Sequence, residues 1–236
     1  MRFVTKYVIL SFVLASIFVF LESPRVLAGE IKVGSFVSAK GFGSRFVIMP
    51  WMDRARKDLA KIGSKTTIKA YWGGSLGKSP FQQYDLVKGG VADVAWVMAG
   101  YTPGQFPELE IVEIPFLFRT ANEAAVVTWK LYEKGLLSGF QDTHLVGMFA
   151  GAPAGIFSRD PISRLEDLKN RKVRIVGATQ GDWLRTLGAV PERASSRKMN
   201  EKLNRGTFSA VLQGWSGMKT FKSFGLVDHT VDVPVG

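Results

Sequence analysis

Two hydrophobic rhythms alternate along the chain from Glu30 onward. Ile31 and Val33 recur at every second position in EIKVGSFV, which predicts a first strand over Glu30–Val37. Ser44–Lys61 follows with helical character, Phe46, Trp51 and Leu59 among its apolar positions and Gly63 just beyond. TTIKAYW (Thr66–Trp72) predicts a second strand, ended by Gly73-Gly74. A second helix starts at Ser79-Pro80, the serine as cap and the proline in the first turn. Phe81, Tyr84 and Val87 form its stripe, Gly89-Gly90 stop it, and VADVAWV (Val91–Val97) predicts a third strand.

After the loop from Ala99 to Leu109 comes IVEIPFLFR, then Thr120-Ala121-Asn122-Glu123 with the spacing of a capping box. That box opens a helix expected to run to about Gly139, and His144–Phe157 is then extended and glycine-rich. Further elements follow: a short helix ending at Asp167–Lys169, a KVRIV strand, helices over Trp183–Leu187 and Lys198–Asn204, and SAVLQGW. Alternating strands and helices imply an α/β protein with mostly parallel sheets covered on both faces. A division near Gly151-Ala152-Pro153 gives a first lobe at 29–150 and a second at 151–236.

The N-terminus stands apart. Arg2 and Lys6 precede an apolar run from Tyr7 to Leu21, and Val26-Leu27-Ala28 ends in a small residue. This order predicts a secretory signal peptide over residues 1–28, its core short for a membrane span of about 20 residues. Those residues hold three cations and one anion, so the formal charge falls from +11 to +9 without them. The basic residues are scattered and accompany no nucleic-acid motif, so a nucleic-acid partner is not expected. The chain has no cysteine, which excludes disulfides and thiolate chemistry. With only His144 and His229, a histidine-rich metal site is not expected either, nor is any cofactor.

Gly73-Gly74-Ser75-Leu76-Gly77 matches the G-x-S-x-G nucleophile elbow, which makes a secreted serine hydrolase using Ser75 one alternative. The elbow needs a helix immediately after the serine, whereas the predicted helix waits until Ser79-Pro80. Gly41-Phe42-Gly43-Ser44-Arg45-Phe46 resembles a dinucleotide loop, but Phe46 stands where a third glycine must allow close packing. Phe36, Trp72, Tyr101, Phe116 and Trp215 gather at predicted strand ends or the loops after them. In open α/β sheets that is where ligands bind, so together they mark a solute cleft.

Arg174 poses the sharpest question, because it sits inside a strand that should be buried on both faces. A buried guanidinium needs a partner. Glu166, Asp167 or an acid from a neighbouring strand would give a structural pair. A ligand carboxylate would give a functional one, held by two parallel N–H···O bonds that lysine cannot reproduce.

Several segments together carry a family resemblance. GGSLGKSPFQQYDLVKGGVADVAW, FPELEIVEIPFLF, DPISRLEDLKNRKVRIVG, LGAVP and FGLVDHTVDVP occur in the order found in solute-binding subunits of tripartite ATP-independent periplasmic (TRAP) transporters. Nearly all of the chain after residue 28 resembles that family. The resemblance implies a two-lobed α/β fold of the type II periplasmic-binding-protein kind, without enzymatic activity, closing around a small organic acid. It makes Arg174 the carboxylate-binding residue, Gln213 and Trp215 the cleft wall, and Phe36 a further contact. It also implies a periplasmic monomer that hands a small-molecule carboxylate to TRAP membrane permease subunits. Three departures stand out: Pro153 lies where some members carry a second arginine, Arg197-Lys198-Met199-Asn200 and Ser209-Ala210 replace an acidic segment, and the chain stops at Gly236. The last predicts an incomplete second lobe without the C-terminal helices that brace both lobes, and apolar faces left exposed. A truncated, non-functional family member is therefore a further alternative.

Overall fold

The computed structural model describes residues 29–236, and the signal peptide expected at 1–28 lies outside the described residues. In the first lobe, β1 (Glu30–Gly34), β2 (Thr67–Tyr71) and β3 (Val94–Ala95) form a parallel sheet in the order β2-β1-β3. All three strands are shorter than expected. Beyond β1 the chain turns at once, as the Ser35 hydroxyl accepts from the Val37 amide and Gly74 N–H bonds the Ser35 carbonyl. Helix α1 (Met49–Lys61) is preceded by a wide π-type turn over Ser44–Ile48. Pro50 accounts for it, since a proline has no N–H to donate four residues back. Val33, Ile48, Met52 and Ile68 join this helix to the sheet.

The second helix begins as a 3₁₀ turn over Pro80–Gln82 before α2 (Gln83–Lys88). Ser79 occupies the cap position, but its side chain makes no capping bond, and its carbonyl accepts from Gln83 Nε2 instead. Half of the expected Thr120 capping box forms: Thr120 Oγ1 accepts from the Glu123 amide at 3.1 Å, while the Glu123 carboxylate accepts from the Arg119 amide, one residue before the cap. Helix α3 covers Ala121–Glu133, shorter than the run to Gly139 expected for it. Gly135, at φ +68 in the left-handed region, ends it, with Leu136 N–H bonded to Leu131 O.

The second lobe carries β4 (Gly155–Ser158), β5 (Lys172–Ile175), β6 (Val190–Arg193), β7 (Ala210–Gln213) and β8 (His229–Val231), ordered β6-β5-β7-β4-β8. Its β6, β5 and β7 run parallel, but β4 is antiparallel to both β7 and β8, so the sheet is mixed where mostly parallel pairing was expected. Helices α4 (Ala178–Thr186) and α5 (Ser196–Asn204) make the crossovers between the parallel strands, and α6 (Trp215–Thr220) follows β7. Alternation along the strands sends Val173, Ile175 and Leu212 into one core cluster and Phe157 and Val211 into another. Arg174, paired in register with Val211, points to that second side.

Candidate functional site

A cavity of about 650 Å³ opens between the lobes. Phe36 follows β1, Trp96 follows β3, Val176 follows β5, and Gln213 ends β7, so the carboxyl ends of parallel strands supply its lining from both sides. Phe149, from the extended crossover, closes one flank and packs at a tilt against Trp96, 5.3 Å between ring centres. Phe36 is almost fully buried and packs against Trp96 and Tyr101. Phe36, Val37 and Tyr101 of the first lobe share an apolar cluster with Val176 of the second.

Arg174 is completely buried. Its Nε donates to Ala194 O at 2.8 Å and its Nη1 to Leu212 O at 3.1 Å. Nη2 donates to Ser196 Oγ at 3.0 Å and to the Tyr101 hydroxyl at 3.2 Å. None of these acceptors carries a charge. Glu192 stands opposite Arg174 in the β5–β6 ladder yet forms no ion pair with it, and Asp167 instead serves Ser163 and Arg164. The structural partners expected from sequence are therefore not used. Burial lowers the arginine's pKa, against the opposing pull of Tyr101.

Arg174 itself is not on the cavity wall; Ser196 is, one hydrogen bond in front of it. Gln213 Nε2 donates to the same serine oxygen at 3.1 Å. Trp215 lies outside the lining, half-exposed, packed edge-on against Phe157 with its Nε1 donating to Asp232. Its neighbours Gly214 and Ser216 do line the cavity. Pro153 is on the wall too, so no arginine stands there. No lysine or arginine is among the lining residues, whereas Asp93, Glu110 and Glu113 are.

Glu113 is the unusual acid of that set. It is 7% exposed, and its Oε2 has no hydrogen-bond partner. The carboxylate packs over Gly177 at the start of α4, where a Cβ would overlap it. Burial pushes its pKa from 4.5 to about 7, with Glu110 adding to the rise, while the Gln180 amide and Arg193 pull the other way.

Two second-lobe arginines tie the lobes together. Arg193 donates to Gly100 O at 3.1 Å and Tyr101 O at 3.3 Å, with its guanidinium 4.9 Å from the Phe81 ring centre. Arg197 donates to Phe36 O at 3.0 Å and Gly73 O at 2.8 Å. The basic segment at Arg197, a departure from the family pattern, thus has a structural task here. Ser75 sits exposed in the turn after β2, and among the described residues no hydrogen bond joins it to His144 or His229. Tyr101 and Ser196 were not singled out as polar site residues by the sequence. The signal for the first was its place in the loop after the third strand; the second lies in no motif.

Comparison with known proteins places this architecture. Residues 55–231 match the family model described as bacterial extracellular solute-binding protein, family 7. The chain belongs to that family. Among curated relatives, the outer membrane transporter protein TsaT of Comamonas testosteroni is 23% identical over 196 residues, covering 81% of this chain and 56% of that one. The uncharacterized protein YiiZ of Salmonella typhimurium is 29% identical over 154 residues, 62% of this chain and 46% of that one. This family-7 chain therefore spans about half the length of the curated relatives it matches. A TRAP solute-binding protein from Rhodoferax ferrireducens, solved with copurified benzoate, superposes with a TM-score of 0.77 at 28% identity, covering 85% of this chain and 62% of that one. A marine metagenome TRAP solute-binding protein, solved with 3-hydroxybenzoate, gives a TM-score of 0.79 at 28% identity with the same coverages. The two-lobed α/β architecture is that of type II periplasmic-binding-protein-like TRAP solute-binding proteins. Family and neighbours alike are solute-binding proteins.

Proposed function

We propose that this chain is the solute receptor of a TRAP transporter, capturing a small carboxylate in the periplasm and delivering it to a membrane permease. The observation that carries the reading is Arg174: a fully buried guanidinium whose partners are all neutral, one side chain behind the wall of an interlobe cavity. Burying a charge without its opposite is costly, and an anion arriving from the cavity would remove that cost. Arg174 would grip the acid group, Gln213 would hold its flank, and Phe36 would cover the apolar body. Trp215 would act from outside the cavity, holding the start of α6 where Gly214 and Ser216 face the solute. Solved relatives carry benzoate and 3-hydroxybenzoate, and the aromatic lining here suits such rings, so aromatic monocarboxylates are the first candidates. Closure follows if the acid touches both lobes only when they meet.

Calorimetric titration of the chain with benzoate, 3-hydroxybenzoate, mandelate and glucuronate tests the reading. At least one acid binds, and Arg174→Lys, which keeps the charge but loses the planar fork, weakens that acid at least tenfold while unfolding remains cooperative. Unchanged affinity in Arg174→Lys removes the assignment.

A further inference from the structure

We propose that Tyr101 is the first lobe's half of the carboxylate site, its phenol donating, together with the Ser196 hydroxyl, to the same carboxylate that Arg174 holds. The inference rests on the capture of a carboxylate proposed above.

A count of protons and lone pairs leads to it. Tyr101 Oη accepts from Arg174 Nη2 and from the Ser196 amide, at 3.2 and 2.9 Å. Ser196 Oγ accepts from Arg174 Nη2 and from Gln213 Nε2, at 3.0 and 3.1 Å. A hydroxyl oxygen has two lone pairs, so these N–H groups already fill both oxygens. The two hydroxyls also lie 2.9 Å apart, so whichever donates must aim at an oxygen that is full. The other hydroxyl's proton has no acceptor in the cluster. Donors thus outnumber acceptor sites around a buried positive charge. A carboxylate corrects both imbalances, bringing two oxygens with about four acceptor sites and one negative charge.

Access and rigidity favour this geometry. Ser196 is on the cavity wall, so turning its side chain opens Nη2 to a solute oxygen. The Tyr101 ring is 1% exposed and stands edge-on to Phe36 and Phe81, at 5.8 and 5.0 Å between centres. Packed in this way, it holds its hydroxyl in place before the solute arrives. Tyr101 belongs to the first lobe, while Arg174, Ser196 and Gln213 belong to the second. One carboxylate bound by this set is therefore held from both sides, which links capture to closure. The same surplus of donors selects against an amide, whose NH₂ adds protons where acceptors are short.

The test is Tyr101→Phe, which keeps the ring and deletes the hydroxyl. Calorimetric Kd values for benzoate, 3-hydroxybenzoate and mandelate are compared among wild type, Tyr101→Phe and Phe81→Leu. Phe81→Leu loosens the packing around the ring but leaves the phenol. Tyr101→Phe weakens the bound acids tenfold or more, the scale of one hydrogen bond to a charged group, while Phe81→Leu stays within about threefold of wild type. Equal losses in the two variants would mean that Tyr101 acts only through packing, and affinity within about twofold of wild type in Tyr101→Phe would remove it from the site. Either result leaves Arg174 standing, whereas a wild type that binds none of the three acids removes the capture reading along with this one. Should Tyr101→Phe lose cooperative unfolding, Ser196→Ala interrogates the other hydroxyl, and unchanged acid affinity there overturns the paired-donor site.

Discussion

Lobe II packs its five-stranded sheet between two apolar clusters, whereas lobe I backs three short strands with α1 and turns aromatic side chains toward the cavity. Leu184, Met199, Leu203 and Val211 are wholly buried in the second lobe. Most of the exposed large apolar residues, Phe42, Phe46 and Phe116 among them, lie in the first. Large apolar side chains are exposed on the second lobe too, Leu165, Trp215 and Phe224 among them. The polar chemistry follows the packing. Arg174, Ser196 and Gln213 project from the five-stranded sheet and the helix beside it, joined through the Ser196 hydroxyl. The first lobe offers rings that can cover different bodies, plus one fixed hydroxyl. A receptor can thus read the acid group rigidly while its apolar wall sets which acid fits.

The largest expected effect tests the packing difference directly. Leu203→Ala in the second-lobe core lowers stability by about 2–5 kcal/mol in denaturant unfolding, and Ile68→Ala in the first lobe falls at the lower end of that range. An equal or greater loss for Ile68→Ala would erase the contrast between the lobes. Next comes Glu113, at the junction of the two. Its folded pKa lies above the ordinary 4.5, so the folded state keeps a proton that the unfolded chain has released. The contribution of Glu113 to stability is therefore full below about pH 4.5 and falls as pH rises through about 7. Glu113→Gln flattens that slope and is more stable than wild type at pH 8 by about 1–3 kcal/mol. Thermal midpoints measured from pH 4 to 8 reveal whether the slope is there and whether Glu113 causes it. Smaller again, Arg197→Ala removes two hydrogen bonds from the second lobe to first-lobe carbonyls and weakens acid binding about threefold to tenfold in calorimetry. Ser75→Ala is the smallest: stability stays within about 0.5 kcal/mol and acid affinity is unchanged, as for an exposed turn residue.

Much of the fold is legible in the residues because local chemistry decides it. Thr120 with Glu123 starts α3, Pro50 and Gly135 shape helix ends, and KVRIV forms a strand because its β-branched Val173 and Ile175 pack together into one core cluster. The antiparallel run of β4 and β8 was hidden because strand direction depends on which distant segments pair, not on the segments themselves. Val190–Arg193 was missed as a strand because Pro191 and two charged residues obscure its alternation. In the site, Arg174 was visible because a charge inside an apolar strand breaks a pattern. Ser196 and the hydroxyl of Tyr101 break none: they matter only because the folded chain brings them, 95 residues apart, to one guanidinium. Trp215, which the family resemblance sets on the cleft wall, packs its ring against Phe157 and Phe224, while its neighbours Gly214 and Ser216 line the cavity.

The most direct measurement is a crystal structure of the chain grown with benzoate or 3-hydroxybenzoate. The account predicts the acid between the lobes with its carboxylate within hydrogen-bond distance of Arg174 Nη2, the Ser196 side chain turned so that its hydroxyl donates to the same carboxylate as the Tyr101 phenol, and the ring against Phe36 and Trp96. An acid bound with its carboxylate toward solvent, and Arg174 still bonded only to Ala194, Leu212, Ser196 and Tyr101, would contradict it.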